Sequence, residues 1–157
     1  MSLITQELIH FARQTFTLDW HGIHGAPHWS RVRHNGLMLA ELTGANPRVV
    51  EYFAFVHDLG RENDNYDPEH GYRAGLIARE IAGDLIHLRT SELDLLVEAC
   101  EGHSDGHLVA DVTVMTCWDA DRLDLGRVGI RPDPFRLCNE ASREPKVLNS
   151  AYRRSIK

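Results

Sequence analysis

Apolar residues recur at helical spacing in successive stretches of this chain, and prolines and glycines fall where helices begin and end. Leu3, Ile4, Leu8, Phe11, Ala12 and Phe16 describe an amphipathic helix. A loop rich in Gly and His follows from Thr17 to Ala26. Pro27 is placed to open a second helix, because its missing N–H is not needed in a first turn. Val32, Gly36, Leu39, Ala40 and Thr43 form that helix's inner face, and Gly44 stops it. Asn46-Pro47 opens a third, with Val49, Val50, Phe53, Ala54 and His57 along its stripe and Leu59-Gly60 at its end. Beyond the polar loop Arg61 to Tyr66, Asp67 as cap and Pro68 as first residue predict a fourth helix with Ala74, Ile77, Ala78 and Ile81 inside. Ser91 is the expected cap of a fifth, carrying Leu93, Leu96, Val97 and Cys100 up to Gly102, and a sixth runs from Ala110 to Leu125. The tail, with Pro132, Pro134 and Pro145, reads as loops and short helices packed outside. Only Leu108 to Met115 alternates in a strand-like way, and it fits a helix equally well. The expected fold is all-α, a single domain over residues 1–157 with its core at 28–125, since no repeat or linker divides the chain.

Composition narrows the function. A chain of 157 residues buries roughly 70% of the surface its unfolded form exposes. With 17 Lys+Arg against 23 Asp+Glu and a net charge of −6, its balance argues against broad nucleic-acid or anionic-membrane binding, which needs a cationic surface, and leaves room for a local basic pocket. Cys100, Cys117 and Cys138 form no zinc spacing and leave an odd thiol, which fits a reducing compartment. No apolar run approaches the ~20 residues of a membrane helix, and nothing near Met1 resembles a signal peptide. The expectation is a soluble cytoplasmic protein.

Several ionisable residues occupy inner-face positions near helix ends. His57 continues the Val50-Phe53-Ala54 stripe, His70 precedes Ala74 by a turn, His103 lies two turns after Leu96, and Asp121 follows Val114, Cys117 and Trp118. Burying one such group alone costs a few kcal/mol. Burying several in different helices makes sense if they meet, and imidazole with carboxylate in one pocket binds a divalent metal.

His28-Trp29-Ser30-Arg31-Val32, then His57-Asp58-Leu59-Gly60, then Ala120-Asp121-Arg122-Leu123-Asp124 resemble the ordered H…HD…D signature of the HD-domain metal-dependent phosphohydrolases, over residues 28–125. The resemblance implies an all-α bundle in which His28, His57, Asp58 and Asp121 bind a metal. Asp121 is favoured over Asp119, which lies about 200° away around a helix and is expected to be solvated or to stand behind the ligands. Some branches hold two ions, with extra histidines in the interval where His70 and His103 fall and the HD aspartate bridging. This chain lacks the consecutive His-His pair of some of those branches, so one or two ions (Mn, Mg, Fe, Zn, Co or Ni) are expected.

The implied reaction is hydrolysis of a phosphoester of a nucleotide or related small metabolite, with Asp58 also orienting the attacking water. Arg61, directly after Gly60, is the candidate phosphate contact, because a guanidinium matches phosphate oxygens with paired donors. Glu62 is a candidate general acid or base. Two rival readings stand beside this one: an HD-type di-iron oxygenase and a non-catalytic nucleotide- or metal-binding regulator. Gly102-His103-Ser104-Asp105-Gly106 matches the serine-hydrolase elbow, which requires a strand where this chain has a helical pattern. His21, His24 and His107 read as loop residues, and His10, His34 and His87 as surface residues without chemistry. Trp20 and Trp29 belong to the core or wall the site.

Overall fold

The structure, a computed structural model, describes residues 2–157. It is all-α: helices α1 (Gln6–Thr15), α2 (Ala26–Thr43), α3 (Pro47–Val56), α4 (His70–Ile81), α5 (Thr90–Gly102), α6 (Val112–Arg122) and α7 (Pro145–Ser155). Three 3-10 turns, Leu125–Val128, Pro134–Arg136 and Ala141–Arg143, connect the last two.

Local chemistry accounts for most of the boundaries. The Thr5 hydroxyl accepts from Leu8 N–H at 3.2 Å to cap α1, and the Asn46 side chain accepts from Arg48 N–H at 3.0 Å to cap α3. Gly44 ends α2 with φ +81°, the left-handed conformation that glycine adopts without steric cost.

Several starts differ from the sequence reading, and Leu3 and Ile4 precede α1 instead of belonging to it. Asp67 does not cap α4, because its carboxylate is taken by the Glu62 N–H at 2.7 Å and by Arg73, and the helix begins at His70. Ser91 does not cap α5, which begins at Thr90, while Glu92 Oε1 reaches back to the Arg89 N–H at 2.9 Å. Residues 110–111 stay outside α6, capped by the Asp111 carboxylate at Thr113 N–H, 2.8 Å. The tail, expected to hold only short helices, ends in the 11-residue α7.

Helices α2, α3, α5 and α6 surround the main core, built on Leu8, Val32, Val50, Phe53, Leu96, Val114 and Trp118, with α4 laid along α5. Two glycines set the approach of neighbouring helices. A Cβ on Gly36 would meet Val50 Cγ1 at 2.4 Å, and one on Gly71 would meet the Cys100 carbonyl oxygen at 2.5 Å. The second contact brings the start of α4 against the end of α5, where His70 and His103 lie.

A smaller cluster of Leu39, Leu123, Leu137 and Ala151 seats the C-terminal segment on α2 and α6. Asp119 fastens that segment. It is fully buried, and its carboxylate accepts from Cys138 N–H (2.7 Å), Asn139 N–H (2.9 Å), Asn139 Nδ2 (3.0 Å) and Ser142 Oγ (2.6 Å). The expectation of a solvated residue, or one behind the ligands, is therefore corrected: Asp119 turns to the opposite side of α6 from Asp121. No helix among the described residues is long and apolar enough to cross a membrane.

Candidate metal centre

Four histidines reach one buried point from four helix ends. His28 sits in the first turn of α2, His57 follows the last residue of α3, His70 opens α4, and His103 follows α5. Each ring commits Nδ1 to an oxygen that can only accept. His28 Nδ1 donates to Asp124 Oδ2 at 2.6 Å, and His57 Nδ1 faces the Phe53 and Ala54 carbonyls at 3.1 and 3.2 Å. His70 Nδ1 donates to the Asp67 carbonyl at 2.5 Å and His103 Nδ1 to the Cys100 carbonyl at 2.7 Å. With Nδ1 protonated, the neutral ring presents an Nε2 lone pair.

Those lone pairs point at one another. His28 Nε2 lies 3.2 Å from His57 Nε2, and His70 Nε2 lies 2.8 Å from His103 Nε2. Two lone pairs so close repel, and a cation shared by both turns the repulsion into ligation.

Asp58 stands between the two pairs. Its Oδ2 is 3.6 Å from His28 Nε2 and 3.4 Å from His57 Nε2, while its Oδ1 is 3.5 Å from His70 Nε2 and 3.4 Å from His103 Nε2. Asp121 Oδ1 faces the first pair at 3.1 and 3.4 Å and is buried with no hydrogen-bond donor aligned to it. His28, His57 and Asp58 form one group that can hold a metal ion, and Asp58, His70 and His103 form another. The orphaned oxygen and the facing lone pairs are what a cation satisfies, so the donor set fits a metal.

Electrostatics agree. Burial drives the Asp58 carboxyl toward its neutral form, but His57, His103 and His28 outweigh it and hold its pKa well below the usual carboxylate range. At Asp121 the hydrogen-bonding capacity of His28 and His57 likewise overcomes burial. Burial opposes a charge on His57, yet Asp58 and Asp121 raise its pKa, so without a metal a proton supplies positive charge there. Burial, with the neighbouring His103, pushes His70 down to about 4. Burial also raises the Cys100 and Cys117 thiols, and neither is a ligand.

Asp124 is the residue that the sequence reading passed over. It is buried, and besides His28 it accepts from Arg31 Nε at 2.8 Å. Its position one turn after Asp121 was the available signal, since residues three apart share a helix face.

The remaining candidates fall in different places. Arg61 Nε lies 3.5 Å from Asp58 Oδ1, buried and without an accepting partner, while its Nη1 donates to the Asn63 and Asn65 carbonyls. Glu62 points away: its side chain is 72% exposed, 3.7 Å from Arg73 Nε, and it does not line the cleft above the centre. His24, read as a loop residue, is buried beside His28 with Nδ1 2.8 Å from Asp64 Oδ1. His10, His21, His34, His87 and His107 are exposed. Trp29 is core, packed edge-on against Phe16, Trp20 and Phe55. Ser104 follows a helix rather than a strand.

A cleft of about 700 Å³ opens over Asp58, His70, His103 and Asp121, and Arg61, Arg122, Arg127, Arg131 and Arg136 line it. Compared with protein-family models, curated proteins and solved structures, the chain matches none.

Proposed function

We propose that this chain is an HD-type metal-dependent phosphohydrolase with a binuclear centre, acting on a phosphoester of a nucleotide or related small metabolite. The observation that supports it best is the position of Asp58, whose two oxygens face two different histidine pairs. His28, His57, Asp121 and Asp58 Oδ2 would hold one divalent ion, and His70, His103 and Asp58 Oδ1 the other. Mixed imidazole and carboxylate donors suit Mn, Fe, Co, Ni or Zn better than Mg, which prefers oxygen.

Divalent ions bound there supply Lewis acidity toward a phosphoryl oxygen and bring the ionisation of water toward neutral pH. The chain's own residues do the rest. The Nδ1 partners keep the imidazoles neutral and their Nε2 atoms aimed inward. The unpartnered Nε of Arg61, beside Asp58, offers a donor to the phosphate. Cations held there would offset the charge of Asp58 and Asp121, and this would let an acidic protein admit an anionic substrate.

The test combines metal analysis of anaerobically purified protein with a phosphate-release screen over mono-, di- and cyclic nucleotides. Two ions per chain and metal-dependent release are expected. Asp58→Ala should lower turnover by more than about a thousandfold with helical content unchanged. Undiminished release by Asp58→Ala overturns the proposal. The meeting of His70 and His103 also favours a second reading, oxygen-dependent bond cleavage at a di-iron centre. Iron as the bound metal, with a mixed-valent EPR signal and no phosphate release, would establish it instead.

A further inference from the structure

The chain carries fifteen arginines and only two lysines, and five of those arginines line the cleft above the candidate metal centre. They are not equivalent. Arg61 belongs to the loop after α3 and stands beside Asp58. Arg127 is committed to structure, donating to the Ile23 carbonyl at 2.9 Å and the Asp124 carbonyl at 3.0 Å.

Arg122, Arg131 and Arg136 form a separate wall contributed by the end of α6 and the segment after it. Among the described residues none of the three has a carboxylate within 4.0 Å. Arg122 Nη1 donates to the Arg136 carbonyl at 3.0 Å, but its Nη2 is buried without any acceptor. Arg131 lies over the Tyr152 ring at 4.0 Å, which orients the guanidinium without neutralising it. Asp133, the acid nearest Arg131 and Arg136 in sequence, lines the same cleft but is not paired with any of the three, and its Oδ1 accepts from the Phe135 N–H at 2.9 Å.

Three guanidiniums on one wall without a carboxylate partner leave their paired donors free for an anion, and a phosphate or carboxylate matches those donors. The metal centre and Arg61 account for one phosphoryl group. A cleft of about 700 Å³ lies within the roughly 300–1,000 Å³ of pockets that hold drug-sized ligands, far beyond what one phosphate needs. Leu125, Ile130 and Leu137 line the same space and suit a carbon framework.

We infer that Arg122, Arg131 and Arg136 bind a second anionic group of the substrate, so that the substrate class is a phosphoester bearing a further phosphate or carboxylate at its other end. This inference rests on the hydrolase reading for the identity of the first group.

Calorimetry with α,ω-alkane bisphosphonates, propylene to hexylene, against the alkylphosphonates of equal length tests it on metal-loaded protein. At one chain length the bisphosphonate should bind at least about tenfold more tightly than its single-headed counterpart. Arg131→Gln combined with Arg136→Gln should bring that ratio close to one, and Arg131→Lys should keep part of it. Both side chains are exposed at the rim, so the variants fold. Equal affinities throughout the series, or an advantage that survives the double substitution, overturn the inference. Metal-dependent alkylphosphonate binding without any bisphosphonate advantage rejects the second subsite alone. A bisphosphonate advantage that vanishes in the double variant of a protein that binds no metal supports the subsite and rejects the hydrolase reading.

Discussion

The floor of the cleft and its C-terminal wall are built by opposite means. On the floor, His28, His57, His70 and His103 lie within a turn of a helix end, and each Nδ1 is held by a backbone carbonyl or by Asp124. The wall, with Arg131 and Arg136, rides on irregular chain and 3-10 turns, seated by a small apolar cluster and by the carboxylate of Asp119. The proposed chemistry, which needs fixed distances, sits at helix ends, while the proposed recognition sits on a segment attached through a few contacts. The two are separable physically, and α6 serves both, with Asp121 on one side and Asp119 on the other.

The strongest way to break this comparison is Asp119→Ala. It removes the acceptor for four buried or half-buried donors and should cost about 3 kcal/mol in denaturant unfolding, while metal content per chain stays the same. Equal loss of metal would show that floor and wall are one unit.

Asp124→Asn sharpens the comparison within the floor. Besides weakening the Arg31 contact, it loosens the support of His28 alone among the four histidines, so affinity at the His28–His57 position should fall about 10–100-fold in a chelator competition, leaving the His70–His103 position as it was.

A smaller effect is expected from pH. His70, at about 4, and His24, lowered from its ordinary 6.5, refuse protons that the unfolded chain accepts, so metal-free protein should lose stability as pH falls from 6.5 toward 4. His57 has the opposite sign: its raised pKa adds stability present below 6.5 and lost as pH rises through the folded value. Chemical denaturation with a chelator from pH 5 to 8 should show a maximum near 6.5, and metal should abolish the alkaline decline, because bound imidazoles stay neutral. The least effect belongs to Glu62→Gln, expected to stay within about 0.5 kcal/mol in stability and to leave turnover unchanged, since the carboxylate faces solvent and Arg73.

Much of the floor was legible in the sequence because helices convert spacing into direction. His57 on the Val50-Phe53-Ala54 stripe had to face inward, and Asp119 and Asp121 could not face the same way. The starts of α4 and α5 were not, because Asp67 and Ser91 look like caps locally but tertiary partners take the Asp67 carboxylate and Glu92 satisfies the start of α5. Asp124 stands beside Asp121 in the same short motif, but its role depends on His28, 96 residues away, and so is not legible locally. The arginine wall was hidden for the same reason: nothing in the order of residues says that Arg122, Arg131 and Arg136 lack acids.

By itself, the sequence determined that this protein is all-α and that particular histidines and aspartates enter its interior, because apolar periodicity and Pro/Gly punctuation act locally. Only the tertiary structure decided that Asp58 lies between two histidine pairs, that every Nε2 faces inward, and that arginines crown the cleft. Those facts depend on distances between helices, and such distances follow from packing at contacts such as Gly36 on Val50 and Gly71 on Cys100.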